Sequence, residues 1–182
     1  MPQRRFALDS TTSTLVVHTR AEGLLARFAH DLELSTRALE GTATLDGDAW
    51  TAELWAPVSS LEVEGVLHGA TLDRTVLSAV DRQQILTKMR EDIFGTAQEV
   101  EAKASGTRRD KGDVMVSVGS SSMRAPMSLT VEESEGGVRV TGSLEVSIKG
   151  LGGKPIKGPL GAFRVEDIVK VRFEGRLVPH GD

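Results

Sequence analysis

The sequence contains no cysteine and no tyrosine, and only five Phe and two Trp supply its aromatic content. Without a thiol there is no disulfide framework, no thiolate nucleophile and no thiolate metal site. No run approaches the roughly 18 apolar residues that a membrane-crossing helix needs. The start, Met1-Pro2-Gln3-Arg4-Arg5-Phe6, passes into a polar stretch with no apolar signal core, so a cytoplasmic location is expected. Excess positive charge is also missing. Lys and Arg number 22 against 26 Asp and Glu, a net charge of -4, which argues against a nucleic-acid partner, since phosphates are met by concentrated cations. Residues 149–176 depart from this average at a local +4, leaving -8 for the remainder.

What is present is 182 residues, 39% of them hydrophobic, enough for one domain over 1–182 with a real core. The dominant signal has a period of two. Across 138–149, Val138, Val140, Leu144, Val146 and Ile148 alternate with Arg139, Thr141, Ser143, Glu145, Ser147 and Lys149, giving one dry and one wet face. This stretch is the longest strand candidate. Residues 168–177, 114–118 and 125–131 follow the same pattern, as do 14–20, 32–36, 39–45, 49–55 and 60–63 in the first half. Asp46-Gly47-Asp48 and Glu135-Gly136-Gly137 read as tight turns, where Gly and Asp tolerate positive φ.

One segment breaks the rhythm. Over 78–94, Ile85, Met89 and Ile93 recur every four residues beside Leu86, while Arg82, Gln83, Glu91 and Asp92 can face water, which predicts an amphipathic helix. Ser78 and Asp81 have capping spacing, and Gly95 supplies a terminator. Eight to ten strands in this length must fold over as a sandwich or close as a barrel, since an open sheet exposes its edges. A barrel near eight strands either fills itself or leaves room for a small ligand. The shortage of aromatics leaves both outcomes open.

The residues also carry a family likeness. Phe6-Ala7-Leu8-Asp9, Leu15-Val16-Val17-His18 and Gly23-Leu24-Leu25-Ala26-Arg27-Phe28-Ala29-His30-Asp31-Leu32 resemble the start of the YceI-like family of polyisoprenoid-binding proteins. Asp81-Arg82-Gln83-Gln84-Ile85 and Met89-Arg90 resemble its central helix. Gly152-Gly153-Lys154-Pro155-Ile156 and Gly161-Ala162-Phe163-Arg164-Val165-Glu166-Asp167 resemble its carboxyl-terminal pattern. Ala97-Gln98-Glu99-Val100 stands where many relatives have an aromatic-proline pair. The resemblance implies a mainly β fold, an extended antiparallel lipocalin-like barrel of about eight strands with one helix near 78–94. It also implies an internal pocket for an isoprenoid or similar long-chain amphiphile, and binding without turnover.

The candidate apolar contacts are Phe28, Leu86, Met89, Phe94, Met127, Phe163 and Phe173. An isoprenoid tail offers no directional handle, so affinity must come from removing apolar area from water: burying about 300 Å² contributes on the order of 7 kcal/mol before ordering losses. His30 beside Asp31 is a candidate polar contact to a head group, although strand neighbours point to opposite faces. Lys154 and Lys157 lie in a glycine-rich stretch that lacks the Gly-Lys-Ser/Thr ending of a phosphate cradle. They read as loop lysines able to meet an anionic head group.

His18, His68 and His180 show no metal spacing, so neither metal nor cofactor is expected. Three functions stay open: carriage or sequestration of the amphiphile, a filled barrel serving as a structural or protein-interaction module, and acid-base chemistry on an apolar molecule at His30. Transient contact with a membrane surface or a protein, and a homodimer shielding strand edges, are compatible with the first.

Overall fold

The computed structural model describes residues 3–23, 29–134, 136–158, 161 and 163–180. Among the described residues fourteen strands form, β1 (Arg4–Leu8), β2 (Thr14–Thr19), β3 (Ala21–Glu22), β4 (Asp31–Thr36), β5 (Glu40–Asp46), β6 (Ala49–Pro57), β7 (Glu62–His68), β8 (Thr71–Asp73), β9 (Glu99–Arg108), β10 (Lys111–Val118), β11 (Ser121–Ser134), β12 (Gly137–Ser147), β13 (Arg164–Val165) and β14 (Ile168–Pro179). Eight of them, in the order β1-β5-β6-β9-β10-β11-β12-β14, close into an antiparallel barrel through the pairing of β1 with β14. The sheet continues past β14 as β2-β4-β7-β8, and β3 with β13 makes a separate two-stranded ribbon. The expected barrel is therefore present, with extra strands added to it.

The closure depends on β14, whose edge opposite β12 serves two strands in turn. Residues 170–174 pair with β2, and 177–179 pair with β1. The turn between β1 and β2 makes this hand-over. Asp9 accepts from the Thr11 amide at 3.0 Å and hydroxyl at 2.6 Å. The Ser13 hydroxyl, almost wholly buried, donates to the Asp9 carbonyl and accepts from the Arg176 amide. A polar stretch thus pins two strands to one edge with its buried hydroxyl satisfied.

Local signals explain most of the other boundaries. Gly47, at φ +63°, makes the two-residue turn between β5 and β6. Helix α1 (Ala79–Met89) begins with a reciprocal capping box, in which Ser78 accepts from the Asp81 amide and the Asp81 carboxylate accepts from the Ser78 amide. A π-helical turn, Arg90–Phe94, follows and ends at Gly95, whose amide donates to the Arg90 carbonyl. Three expectations need correction. The longest strand is β11, at 14 residues, rather than the 138–149 stretch. Val58–Ser60 is a 3-10 turn, so the strand expected at 60–63 is β7, which runs on to His68. Arg82 does not face water: its guanidinium reaches the carbonyls of Val63, Glu64 and Arg74 and docks α1 onto β7.

A fully buried cluster, Val114, Val116, Val118, Val146, Ile148, Leu151 and Val169, joins β10, β12 and β14 near the π-helical turn, whose Ile93 and Phe94 pack against it. Asp167 closes this end. It accepts from the Ser147 hydroxyl at 2.6 Å and the Lys149 amide at 2.9 Å, tying the end of β12 to the start of β14. Burial pushes the Asp167 carboxyl up, but these hydrogen bonds outweigh it and hold the group below the ordinary 3.8. Its stabilising effect is therefore complete above that value and is lost as pH falls through the lower folded value. Asp167→Ala should cost about 1–2 kcal/mol at pH 7 in urea denaturation. The gap from the unsubstituted protein should shrink as pH falls below 3.8 and through the lower folded value, where the wild-type carboxyl becomes neutral.

Candidate functional site

Cross-strand partners project to the same face, so the register defines the interior. One inward row runs Phe6, Ala43, Ala52, Ala104, Val114, Ala125 across β1, β5, β6, β9, β10 and β11. The adjacent row runs Gly41, Leu54, Ala102, Val116, Met123. The wall formed by β5, β6 and β9 is thus largely alanine and glycine. Across from it, β11, β12, β14, β2 and β4 present Met127, Leu144, Val171, Phe173, Leu15 and Leu34.

The short side chains do not span the barrel. A cavity of about 890 Å³ remains, lined almost entirely by apolar groups. Ala43, Ala52, Ala102 and Ala104 are only half-buried despite facing inward, because the surface they keep borders this hollow. The volume lies toward the upper end of small-molecule sites, roughly 300–1,000 Å³. A filled core, one of the alternatives open from sequence, is at odds with this interior.

The two ends of the cavity differ. At the hairpin end, the Trp50 indole lies over Gly106 and Gly112, where an added Cβ would come within 2.6 and 2.5 Å of the ring, and its Nε1 donates to the Arg108 carbonyl at 2.8 Å. Arg109 there bridges Asp48 at 3.3 Å and Glu133 at 3.0 Å, linking three hairpin tips. At the other end, α1 presents Ile85 and Met89 to the hollow, and no residue of the helix is fully buried. The apolar face of this helix therefore borders open space, while polar anchoring by Arg82 holds its position.

Of the residues singled out in the sequence, Met89, Phe94, Met127, Phe163 and Phe173 stand on the cavity wall, and His30 lies on its exposed rim. Asp31 accepts from the Ala21 amide at 2.9 Å. Leu86 is half-buried but is not part of the wall; Ile85 next to it is. Phe28 lies outside the described residues. Lys154 and Lys157 are exposed and do not line the cavity. The Lys154 amide ties its loop to the Asp92 carbonyl, and Lys157 forms an isolated bridge with Arg164. Sequence reasoning missed Trp50 and the alanines of β5, β6 and β9. Their signal is alternation of small residues, as in Val100, Ala102, Ala104, Gly106, which carries little hydrophobic contrast.

No protein-family model and no curated protein sequence matches the chain. Solved structures do match in fold. The crystal structure of BcnA from Burkholderia cenocepacia superposes with a TM-score of 0.65 at 13% identity, over 93% of this chain and 98% of that one. A polyisoprenoid-binding domain from Saccharophagus degradans, described as implicated in plant cell wall breakdown, superposes at 0.59 and 12% identity, over 96% and 98%. The chain thus shares the barrel fold of these two proteins, and its own barrel encloses a hollow lined by apolar side chains.

The inward assignment is directly testable. Met127→Asp puts a carboxylate into the apolar wall and should weaken binding of an apolar fluorescent probe by about tenfold or more. Ser128→Asp, one position along β11 and pointing outward, should leave the titration unchanged.

Proposed function

We propose that this protein belongs with the YceI-like polyisoprenoid-binding proteins and that it encloses an isoprenoid or similar long-chain amphiphile, carrying or sequestering it without chemical turnover. The observation that carries this reading is the hollow itself, about 890 Å³ bounded by aliphatic and aromatic side chains. An empty apolar tube forgoes the dispersion contacts that a packed core would make, and a chain-like ligand restores them while leaving water. The likeness of fold to a polyisoprenoid-binding domain supports the same reading.

The polar side chains of the wall suggest the ligand's direction. They stand at both ends, Thr19, His30, Gln84 and Lys88 toward α1 and Arg109 and Glu133 beside Trp50, but the latter two are paired with each other at 3.0 Å, and this reading places the head group beneath α1 with the tail toward Trp50. Binding without turnover is in keeping with the place of Asp31, whose Oδ1 accepts from the Ala21 amide.

Purified protein extracted with organic solvent and analysed by mass spectrometry should release a long-chain amphiphile near one per chain. Stripped protein should rebind a prenyl alcohol and return it unaltered after prolonged incubation. Failure to bind any such chain would reject carriage; a chemically altered chain would reject the non-enzymatic reading.

A further inference from the structure

We infer that the barrel selects ligands by length, and that Ala43, Ala52 and Ala104 set its limit; this inference rests on the carrier reading. The cavity lining runs from Val138 on β12 to Ile148 just past its end, about 33 Å of chain and about 25 Å along the axis at a usual barrel tilt. At about one water's share of volume, ~30 Å³, for each methylene-sized group, the hollow takes on the order of 20–30 heavy atoms. The favoured ligand is therefore an amphiphile of that size, and a chain of about 40 carbons would leave part of itself outside.

Three alanines control how far the tail reaches. Ala43, Ala52 and Ala104 stand in register on β5, β6 and β9, and each borders the hollow. The next inward row toward the hairpin turns is Leu45, Trp50 and Gly106, where the indole lies against the wall. A tail that enters beneath α1 must pass the alanine strip to reach Trp50. Because the strip opens onto empty space, a larger side chain there can occupy the space of the tail without displacing packed neighbours.

The test uses the full chain, stripped of lipid, and a graded series of linear prenyl alcohols from about 10 to about 40 carbons competing against an apolar dye. Affinity of the unsubstituted protein should climb with length and level off near 20–30 carbons. Ala52→Phe, which adds six ring carbons, should move that plateau about six carbons shorter while shorter alcohols bind as before. Thr51→Phe, on the outer face, should not move it. If Ala52→Phe does not fold, Ala104→Leu should produce a smaller shift in the same direction. Affinity that rises without a plateau, or a plateau shared by folded variants and wild type, overturns length selection while carriage stands. Failure of the unsubstituted protein to bind any alcohol overturns both.

Discussion

A sheet closed around eight strands fixes the width of its own interior, so the volume of the inward side chains alone decides whether the protein has a core or a hollow. Here the balance falls short on one side. Valine, leucine, methionine and phenylalanine line the arc from β11 to β4, but the facing arc on β5, β6 and β9 is mostly alanine and glycine, with Leu45, Trp50, Leu54 and Val100 between them. Native interiors ordinarily pack as densely as organic crystals, and a barrel that does not must be stabilised elsewhere. That support comes from the valine cluster of β10, β12 and β14, from the continuous antiparallel ladder, and from the polar staples at Asp9, Ser13 and Asp167.

The helix shows the same constraint. A surface helix normally docks by burying an apolar stripe, yet α1 buries no residue completely. Its Ile85 and Met89 face empty volume, and a guanidinium contacting backbone carbonyls of β7 does the docking. A capping box at the start and a glycine terminator after the π-helical turn hold the helix together without help from a core. Occupation of the hollow would give the apolar face of α1 the partner it lacks, coupling ligand to the element that covers it.

Much of the fold could be read from the chain because alternation of apolar and polar residues survives wherever the outer face is wet. Strands β2, β4, β5, β6, β12 and β14 were visible in this way, and the Ser78–Asp81 pair and Gly95 marked the helix ends. Strand β9 was not delineated, since Ala102, Ala104 and Gly106 differ too little from their polar neighbours to mark an inward face. The docking of Arg82 was hidden for another reason: its acceptors lie on β7 and in the 74–77 segment, brought together only by the fold. Of the residues that line the hollow, large apolar ones such as Met127 and Phe173 draw attention in the sequence by size, whereas Ala52 and Ala104 shape it through what they leave empty. Leu86 and Ile85 are neighbours on a helix, and periodicity alone did not fix which one borders the cavity.

The most direct measurement is crystallographic: lipid-stripped crystals held under xenon pressure, with the anomalous signal mapped inside the barrel. Apolar cavities that stay dry take up xenon. The account predicts xenon peaks along the face of Ala43, Ala52 and Ala104, reaching toward Trp50. Opposite walls in van der Waals contact, with no xenon between them, would contradict it.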